Sequence, residues 1–547
     1  MRSWIVPFLF AAWAFPAAAA EGPDWLVLAP RDLSVAAETL ARHRRASRLD
    51  AAVQTAEDLA GPDGRIDPKA VKDFVKKTYA ASRGRLATLV LLGDAPSPGD
   101  PPGVVRVPPQ ILAPRYSDKR WACAEDLASD AWYGMLDDDP LPDLAVGRLP
   151  ADNATEAEAM VRRIVAYETG ADFGAWRKRM DIVAGPGGFG PLVDMFLEST
   201  FRKYVAELIP PAYDVRITYA NPASPWCFPP PTFPEKVAGL LDEGSLVWAY
   251  VGHGSPTAFD RVPGEGGNRA IFDLAGAARM DVRRGAPVVA VIACSTGHFD
   301  RPEGDCVVEA MMKAERGPAA VIASTRVSQP YANGILAREM IARFLDPAQP
   351  TLGKAFLAVQ QALVDPKGED QTTLDRISGL LMGPEKLRAC REDHVHLYAL
   401  FGDPAMPIGR PRGSVKLTAP ASAPFGGTVT VDCAFDRAYV GEAVVTLEAR
   451  RGAPLRAFEP VKGLSGPARF EAMERNWRAA NDLVVARAVA GADGDSLRVA
   501  LQVPGGGFPA GEYAIKVFIG DAKGCAIGSA RIALGEKKAG EEEGEGF

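Results

Sequence analysis

Between Asp24 and Arg410 the chain repeats one pattern: a short run apolar at nearly every position, then a longer amphipathic stretch. The apolar runs fall at Trp25–Leu28, Thr88–Leu92, Asp181–Ala184, Leu246–Val251, Val288–Ala293 and Ala319–Ala323, and several end in glycine or another turn former. A run without polar alternation suits a strand covered on both faces, and such strands belong to largely parallel sheets. Helical spacing lies between them. Thr155–Glu158 reads as a capping box, and Ala157, Val161, Ile164 and Val165 then mark one face. Leu197, Phe201, Tyr204, Val205 and Leu208 mark a second helix. The alternation predicts an α/β fold of doubly wound layers. Strands ending near residues 92 and 146 precede the helix at Thr155, and four more follow it. This predicts two side-by-side α/β subdomains, 21–165 and 166–411.

Pro404, Pro407, Pro411 and Gly413 punctuate the chain, and the texture changes beyond them. Val415–Leu417, Thr428–Val431, Ala443–Ala449, Leu497–Val503 and Tyr513–Ile519 read as strands between Gly and Pro turns, predicting an all-β Ig-like sandwich over 412–535. Helical periodicity from Phe470 to Ala488 interrupts that pattern. Residues 536–547, dominated by Glu, Gly and Lys, predict a disordered acidic tail. At the other end, Arg2, the apolar run Trp4–Phe15 and the small residues Ala17–Ala20 have the order of a secretory signal over 1–20, cleaved after Ala20. The expected protein is exported, periplasmic or extracellular. No later segment is long and apolar enough to span a bilayer, so no membrane span is expected in the mature chain.

A length of 547 residues suggests two to four domains. The net charge of −7 argues against nucleic acid as a partner. The basic run Arg42–Arg45 reads as a solvated helix face. Seven cysteines include no Cys-x-x-Cys pair, which removes the common zinc and thioredoxin readings. Cys433 and Cys525 are the two in the C-terminal region, and an exported chain could bond them. Composition says nothing about oligomeric state.

Two apolar runs deliver a reactive side chain at their last step. Leu246–Val251 leads through Gly252 to His253, Gly254 and Ser255, and Val288–Ala293 leads to Cys294, Ser295, Thr296 and Gly297. Ligands of open α/β sheets bind outside the carboxyl ends of the strands, and parallel strands put both side chains at that edge. The thiolate is the nucleophile, and a neighbouring imidazole can take the thiol proton and later give it to a leaving amine. Gly254 lets a substrate backbone approach. Its N–H and that of Cys294 could form an oxyanion hole, worth about 3 kcal/mol per donor. The residues alone leave an alternative open, an inert core cysteine beside a turn histidine.

The string Tyr250–Ser255, then Ala293, Cys294 and Gly297, resembles the gingipain-type cysteine peptidases of the caspase-like clan. The resemblance extends to Asp143–Pro150 with the helix reaching Tyr167 and Glu168, to Ile322–Arg326, to Phe401–Pro404, and to the β region opening at Val415. It implies a caspase-like three-layer catalytic unit of two subdomains, the dyad in the second, followed by an Ig-like domain. It also implies an endopeptidase acting on proteins or peptides through a thioacyl-enzyme, with no cofactor needed for the chemistry. Val183–Gly188 departs from the family, because Pro186 stands where an orienting glutamate is expected. Two further departures are expected: the first strand starts within a few residues of Glu21, leaving no room for the family's N-terminal prodomain, and the family's C-terminal sorting domain is not seen. A catalytically silent scaffold and a transpeptidase are the rival readings.

Weaker candidates remain. Asp194 lies where arginine-selective relatives place a specificity carboxylate, which would pair with substrate Arg or Lys, or it is an N-cap. Asp137, Asp139 and Asp143 offer oxygen ligands suited to structural calcium, or form a solvated turn. His298, Asp300 and Glu303 line the cleft or are plain loop residues. His394 and His396, on a strand-like segment, read as structural, and Asp403 as a turn former. Cys306 is a poor rival nucleophile, since no histidine-bearing strand end pairs with it.

Overall fold

The computed structural model describes residues 22–535 except 102, 119–121, 189–206, 366–368 and 453–454. The signal over 1–20, Asp194, the helix expected around Leu197 and the tail over 536–547 lie outside the described residues or largely so.

Ten strands build one sheet: β1 (Trp25–Ala29), β2 (Ala51–Thr55), β3 (Thr88–Leu92), β4 (Ala145–Leu149), β5 (Arg179–Ala184), β6 (Asp214–Tyr219), β7 (Val247–Val251), β8 (Val288–Ile292), β9 (Ala320–Ser324) and β10 (Tyr398–Phe401). Their spatial order is β2-β1-β3-β4-β10-β9-β8-β7-β5-β6. All neighbours are parallel except β9 and β10. The two halves join edge to edge, where β4 and β10 meet at Arg148 and Phe401.

The interior explains the unbroken apolar runs. Along β8, Val289 and Val291 enter the core on one face and Val288, Ala290 and Ile292 the core on the other. Each buried Val or Ile contributes about 1.5–3 kcal/mol relative to exposure. The first core runs across both halves, under the helices Ser34–Ala46, Ala154–Thr169 and Phe233–Asp242. The opposite face is covered by Pro68–Ala81 in the first half and by Pro330–Leu345, Leu352–Val364 and Pro384–Leu397 in the second.

Several details differ from the sequence reading. The helix Ala154–Thr169 is capped by Asn153, whose side chain accepts from Glu156 N at 3.1 Å while Glu156 accepts from Asp152 N at 3.0 Å, so the reciprocal cap sits two residues before Thr155. That helix also runs through the boundary expected at 165. His394 and His396 lie on the helix Pro384–Leu397, not on a strand. Its buried face carries charged Arg391, Glu392 and Asp393, which hides the helical period. β2, β6 and β10 went unrecognised: β2 and β6 are half-polar edge strands, and β10 is four residues long.

Beyond Gly413 six strands form a separate β unit around its own core. The segments expected at 428–431 and 443–449 are parts of one strand, Thr428–Ala449, with a pairing irregularity between Ala434 and Tyr439. The helical stretch is Gly466–Asn481, which docks on β6 where Trp477 Nε1 donates to Thr218 Oγ1 at 3.1 Å, and a strand starts again at Val484. None of the seven cysteines forms a disulfide. Cys433 is level with Leu417 on the strand Gly413–Thr418, whereas Ala526, beside Cys525, is level with Gly413. That offset of about five residues, ~16 Å of strand, is far beyond disulfide reach.

Buried ion pairs clasp the halves. Asp403 is fully buried and accepts from Trp25 Nε1 at 3.1 Å, Arg44 Nε at 2.7 Å and Ala405 N at 2.8 Å, so it is a turn former and also an anchor for helix Ser34–Ala46. Arg44 and His43 also hold Glu168, so the basic run at 42–45 is only partly a solvated face. Arg148, fully buried, donates to both Asp130 oxygens at 2.7 Å and lies 4.6 Å from the Phe299 ring in the loop after Cys294.

Candidate active site

β7 and β8 are adjacent and parallel, with Val251 opposite Ile292. His253 and Cys294 each stand two residues beyond that pair, at the same level on the carboxyl edge. Gly252 N donates to Ile292 O at 3.2 Å, so the register persists past the strand ends. A Cβ on Gly254 would lie 2.7 Å from Cys294 O and 2.6 Å from Thr296 Cγ2, contacts no real side chain tolerates. Glycine is therefore required for the two chains to approach here.

The histidine is held from behind. Its carbonyl accepts from Tyr250 Oη at 2.8 Å and from Asp260 N at 3.1 Å. Tyr250 is fully buried and stacked on Phe259 at 4.4 Å. Because His253 and Asp260 form a hydrogen-bonded hairpin pair, the next pair, Gly254 and Phe259, is the non-bonded kind, and Gly254 N–H faces away from its partner strand. Gly187 and Gly188 follow β5 with φ of +85° and +109°. A Cβ on Gly188 would come 3.6 Å from His253 Nε2, an ordinary contact distance, so the loop containing Pro186 passes directly beside the imidazole.

The cysteine sits on a strained turn. Ser295 has φ +56°, a left-handed conformation unusual for a non-glycine residue and a recurrent feature of functional sites. The strain is held by Ser295 N donating to Arg326 O and Gly297 N donating to Ser324 O, both at 2.9 Å. With Ser295 N engaged, Cys294 N–H has no acceptor among the described residues. Cys294 Sγ lies 3.5 Å from Ser328 O and 3.8 Å from Ser328 Oγ. Ser328 Oγ accepts from Asn333 Nδ2 at 2.9 Å, and Asn333 Oδ1 accepts from Tyr398 Oη at 2.7 Å. Sequence reasoning missed Ser328, Asn333 and Tyr398. They come from a loop, a helix and β10, and no local motif links them.

The other cysteines are less suited to nucleophilic work. Burial pushes Cys227 up to about 12, Cys433 and Cys525 up to about 11, and Cys306 and Cys390 further. Cys294 and Cys123 are the two half-buried ones, and only Cys294 adjoins a histidine-bearing strand end. The remaining candidates have structural partners. Asp300 pairs bidentately with Arg326 at 2.8 and 2.7 Å, and Arg326 also holds Asp126 at 2.6 Å. His298, 3.6 Å from Asp300, is driven below its ordinary range by burial and by Arg326. Glu303 lies 3.4 Å from Arg301 Nε, and its side chain is largely exposed. His394 is fully buried, accepts from Gln329 N at 2.9 Å and lies 2.6 Å from Cys390 O, and burial pushes it down to about 4. His396 meets Ser129 Oγ at 3.0 Å.

Asp137, Asp139 and Asp143 each accept a backbone N–H of their own turn, from Asp139, Leu141 and Leu136 respectively. Among the described residues, the acidic group whose oxygens lie within 4.8 Å of one another is Asp94, Asp152 and Asp305. Lys313 Nζ already occupies it, at 3.8, 2.8 and 2.6 Å.

A continuous mixed α/β sheet with a thiol and an imidazole on neighbouring strand tips defines the class of protein. The chain belongs to peptidase family C25, which it matches over residues 18–409. It is 22% identical to gingipain R2 of Porphyromonas gingivalis over 415 residues, 74% of this chain and 48% of the relative, and 22% identical to gingipain R1 of the same organism over 402 residues, 71% and 34% respectively. The chain thus spans about half or less of the curated relatives it matches. Among solved structures it resembles the Arg-specific cysteine proteinase gingipain R, with a TM-score of 0.51 and 18% identity over 94% of this chain and 99% of that one. A second, titled only as a protease, gives a TM-score of 0.52 at 13% identity over 93% and 96%.

Proposed function

We propose that the protein is an exported cysteine endopeptidase that cleaves protein or peptide substrates through a Cys294–His253 dyad. The observation that carries the reading is the shared level of the two residues on adjacent parallel strands, with Gly254 in backbone contact with Cys294. In this mechanism His253 takes the thiol proton, and the sulfur attacks the scissile carbonyl. The N–H groups of Gly254 and Cys294 hold the oxyanion. Collapse expels the amine, which leaves with the proton from His253, and a water activated by the same imidazole then hydrolyses the thioacyl-enzyme. Ser328 supports the resting thiol, and the loop through Gly187 and Gly188 passes beside the ring. Preference for Arg or Lys through Asp194 belongs to the same proposal, and its loss in Asp194→Ala is the check. The C-terminal β unit is proposed as an Ig-like packing module, and its six strands around a core of their own support that.

Labelling by peptidyl chloromethyl ketones tests the assignment. Modification of Cys294 that vanishes in Cys294→Ala and in His253→Ala is expected. One observation favours a second reading, a silent scaffold of the same fold: Pro186 lacks the carboxylate that would orient the imidazole. Absence of labelling and cleavage across a broad peptide panel would establish that reading, and ligation to an added amine would instead indicate transpeptidation.

A further inference from the structure

We propose that an arginine-lined cavity at the amino edge of the sheet binds a multivalent oxyanion of the phosphate or sulfate class. The cavity, about 420 Å³, lies between helix Ala154–Thr169, the turn ahead of β5 and the loops ahead of β8 and β9. Since β5, β8 and β9 run in the same direction, this edge is opposite the one that carries His253 and Cys294. The two sites are separate.

Six arginines line it, Arg162, Arg163, Arg177, Arg283, Arg284 and Arg316, against the acids Asp172 and Glu315. The outer four have carboxylate partners: Glu158 for Arg162, Asp281 for Arg283 and Arg316, and Asp172 for Arg284. Arg163 and Arg177 reach no carboxylate among the described residues. Arg163 donates from Nη1 to Ala314 O at 2.6 Å and from Nη2 to Met312 O at 2.5 Å, while its Nε is closed to solvent and has no acceptor. Arg177, buried, donates to Asp172 O and to Gly409 O, both at 3.0 Å. The Trp176 indole N–H, also in the wall, is buried without an acceptor.

Capping the carbonyls at the end of helix Val307–Lys313 accounts for two Arg163 nitrogens. It does not account for Nε or for the indole. Arg177 also lies over the Phe173 and Trp176 rings at 4.8 and 4.4 Å, but a desolvated guanidinium with no carboxylate partner remains a costly arrangement. Burial draws Arg163 down to about 10 and Arg177 below its ordinary range, yet both stay cationic at neutral pH. An oxyanion in the cavity would neutralise both guanidinium charges, in the charge-assisted geometry arginine favours.

Calorimetric titration of the full chain with pyrophosphate and with sulfate tests this. The expected result is one-to-one binding, weakened on the order of tenfold or more in Arg163→Gln and in Arg177→Gln and unchanged in Cys294→Ala. Should a glutamine variant fail to fold, a pyrophosphate-dependent change in tryptophan emission that disappears in Trp176→Phe supports the site instead. Co-sedimentation with phosphatidylcholine vesicles containing phosphatidic acid, but not with phosphatidylcholine alone, identifies a lipid-borne anion. Pyrophosphate binding without sedimentation identifies a soluble one. Absence of binding to pyrophosphate, sulfate and vesicles, or binding that survives both glutamine substitutions, overturns the proposal.

Discussion

Replacing Gly254 with alanine probes the approach of the two strand tips with a single methyl group. The added carbon would sit 2.7 Å from the Cys294 carbonyl oxygen, 2.6 Å from Thr296 Cγ2 and 3.0 Å from Ala293 Cβ, where ordinary contact begins at 3.4 Å. The Cys294 backbone cannot rotate away, because its turn is fixed by the bonds from Ser295 N and Gly297 N. The segments must therefore part by about 0.7 Å, the shortfall between 3.4 and 2.7 Å. Overpacking of this kind costs about 1–3 kcal/mol of stability, which a domain of this size survives. Catalysis is more sensitive, since a displacement near 1 Å can cost about a hundredfold. Gly254→Ala should thus remain folded by circular dichroism while kcat/KM on a fluorogenic peptide falls about a hundredfold, mostly in kcat. Activity within about threefold of the parent, in a folded variant, would refute the close approach and with it the dyad.

Asp130→Ala strands the buried Arg148 guanidinium and should cost about 3–5 kcal/mol by urea unfolding; a loss below about 1 kcal/mol would show that water or carbonyl groups suffice. The buried, neutral His394 has its pKa lowered from 6.5 to about 4, so the unfolded chain binds the extra proton between these values and stability falls as pH drops through that window. Between pH 6.5 and 5 this amounts to about 2 kcal/mol, which should be absent from the pH slope of His394→Gln. Asp94, raised to about 6 chiefly by burial, acts in the opposite sense, its contribution being lost as pH rises, and it cancels when the two slopes are subtracted. Chelation with EDTA should leave kcat/KM unchanged within about twofold, because the proposed chemistry routes no step through a metal. A rise in melting temperature with calcium that disappears in Asp139→Asn would place an ion at Asp137, Asp139 and Asp143.

Legibility in the sequence followed solvent exposure and locality. Strands buried on both faces, such as β3 and β8, announce themselves because every position must be apolar. The edge strands β2 and β6 did not, since one side meets solvent or a polar neighbour. The helix Pro384–Leu397 was disguised because Arg391, Glu392, Asp393 and His394 are buried and find polar partners inside the protein, which no periodicity rule anticipates. His253 and Cys294 were visible for a local reason: each stands at the end of an apolar run with a glycine within three residues after it.

The order of the strands along the chain, and two reactive residues at the ends of two of them, were fixed by local chemistry alone. That β7 and β8 are neighbours in register, that Ser328, Asn333 and Tyr398 stand behind the thiol, and that Asp403 ties the last motif to the first strand are decisions of the tertiary structure. Each depends on residues 34 to 378 positions apart. Contacts at such separations arise from strand pairing and layer packing across the whole sheet, and a one-dimensional pattern carries no record of which strand will lie beside which.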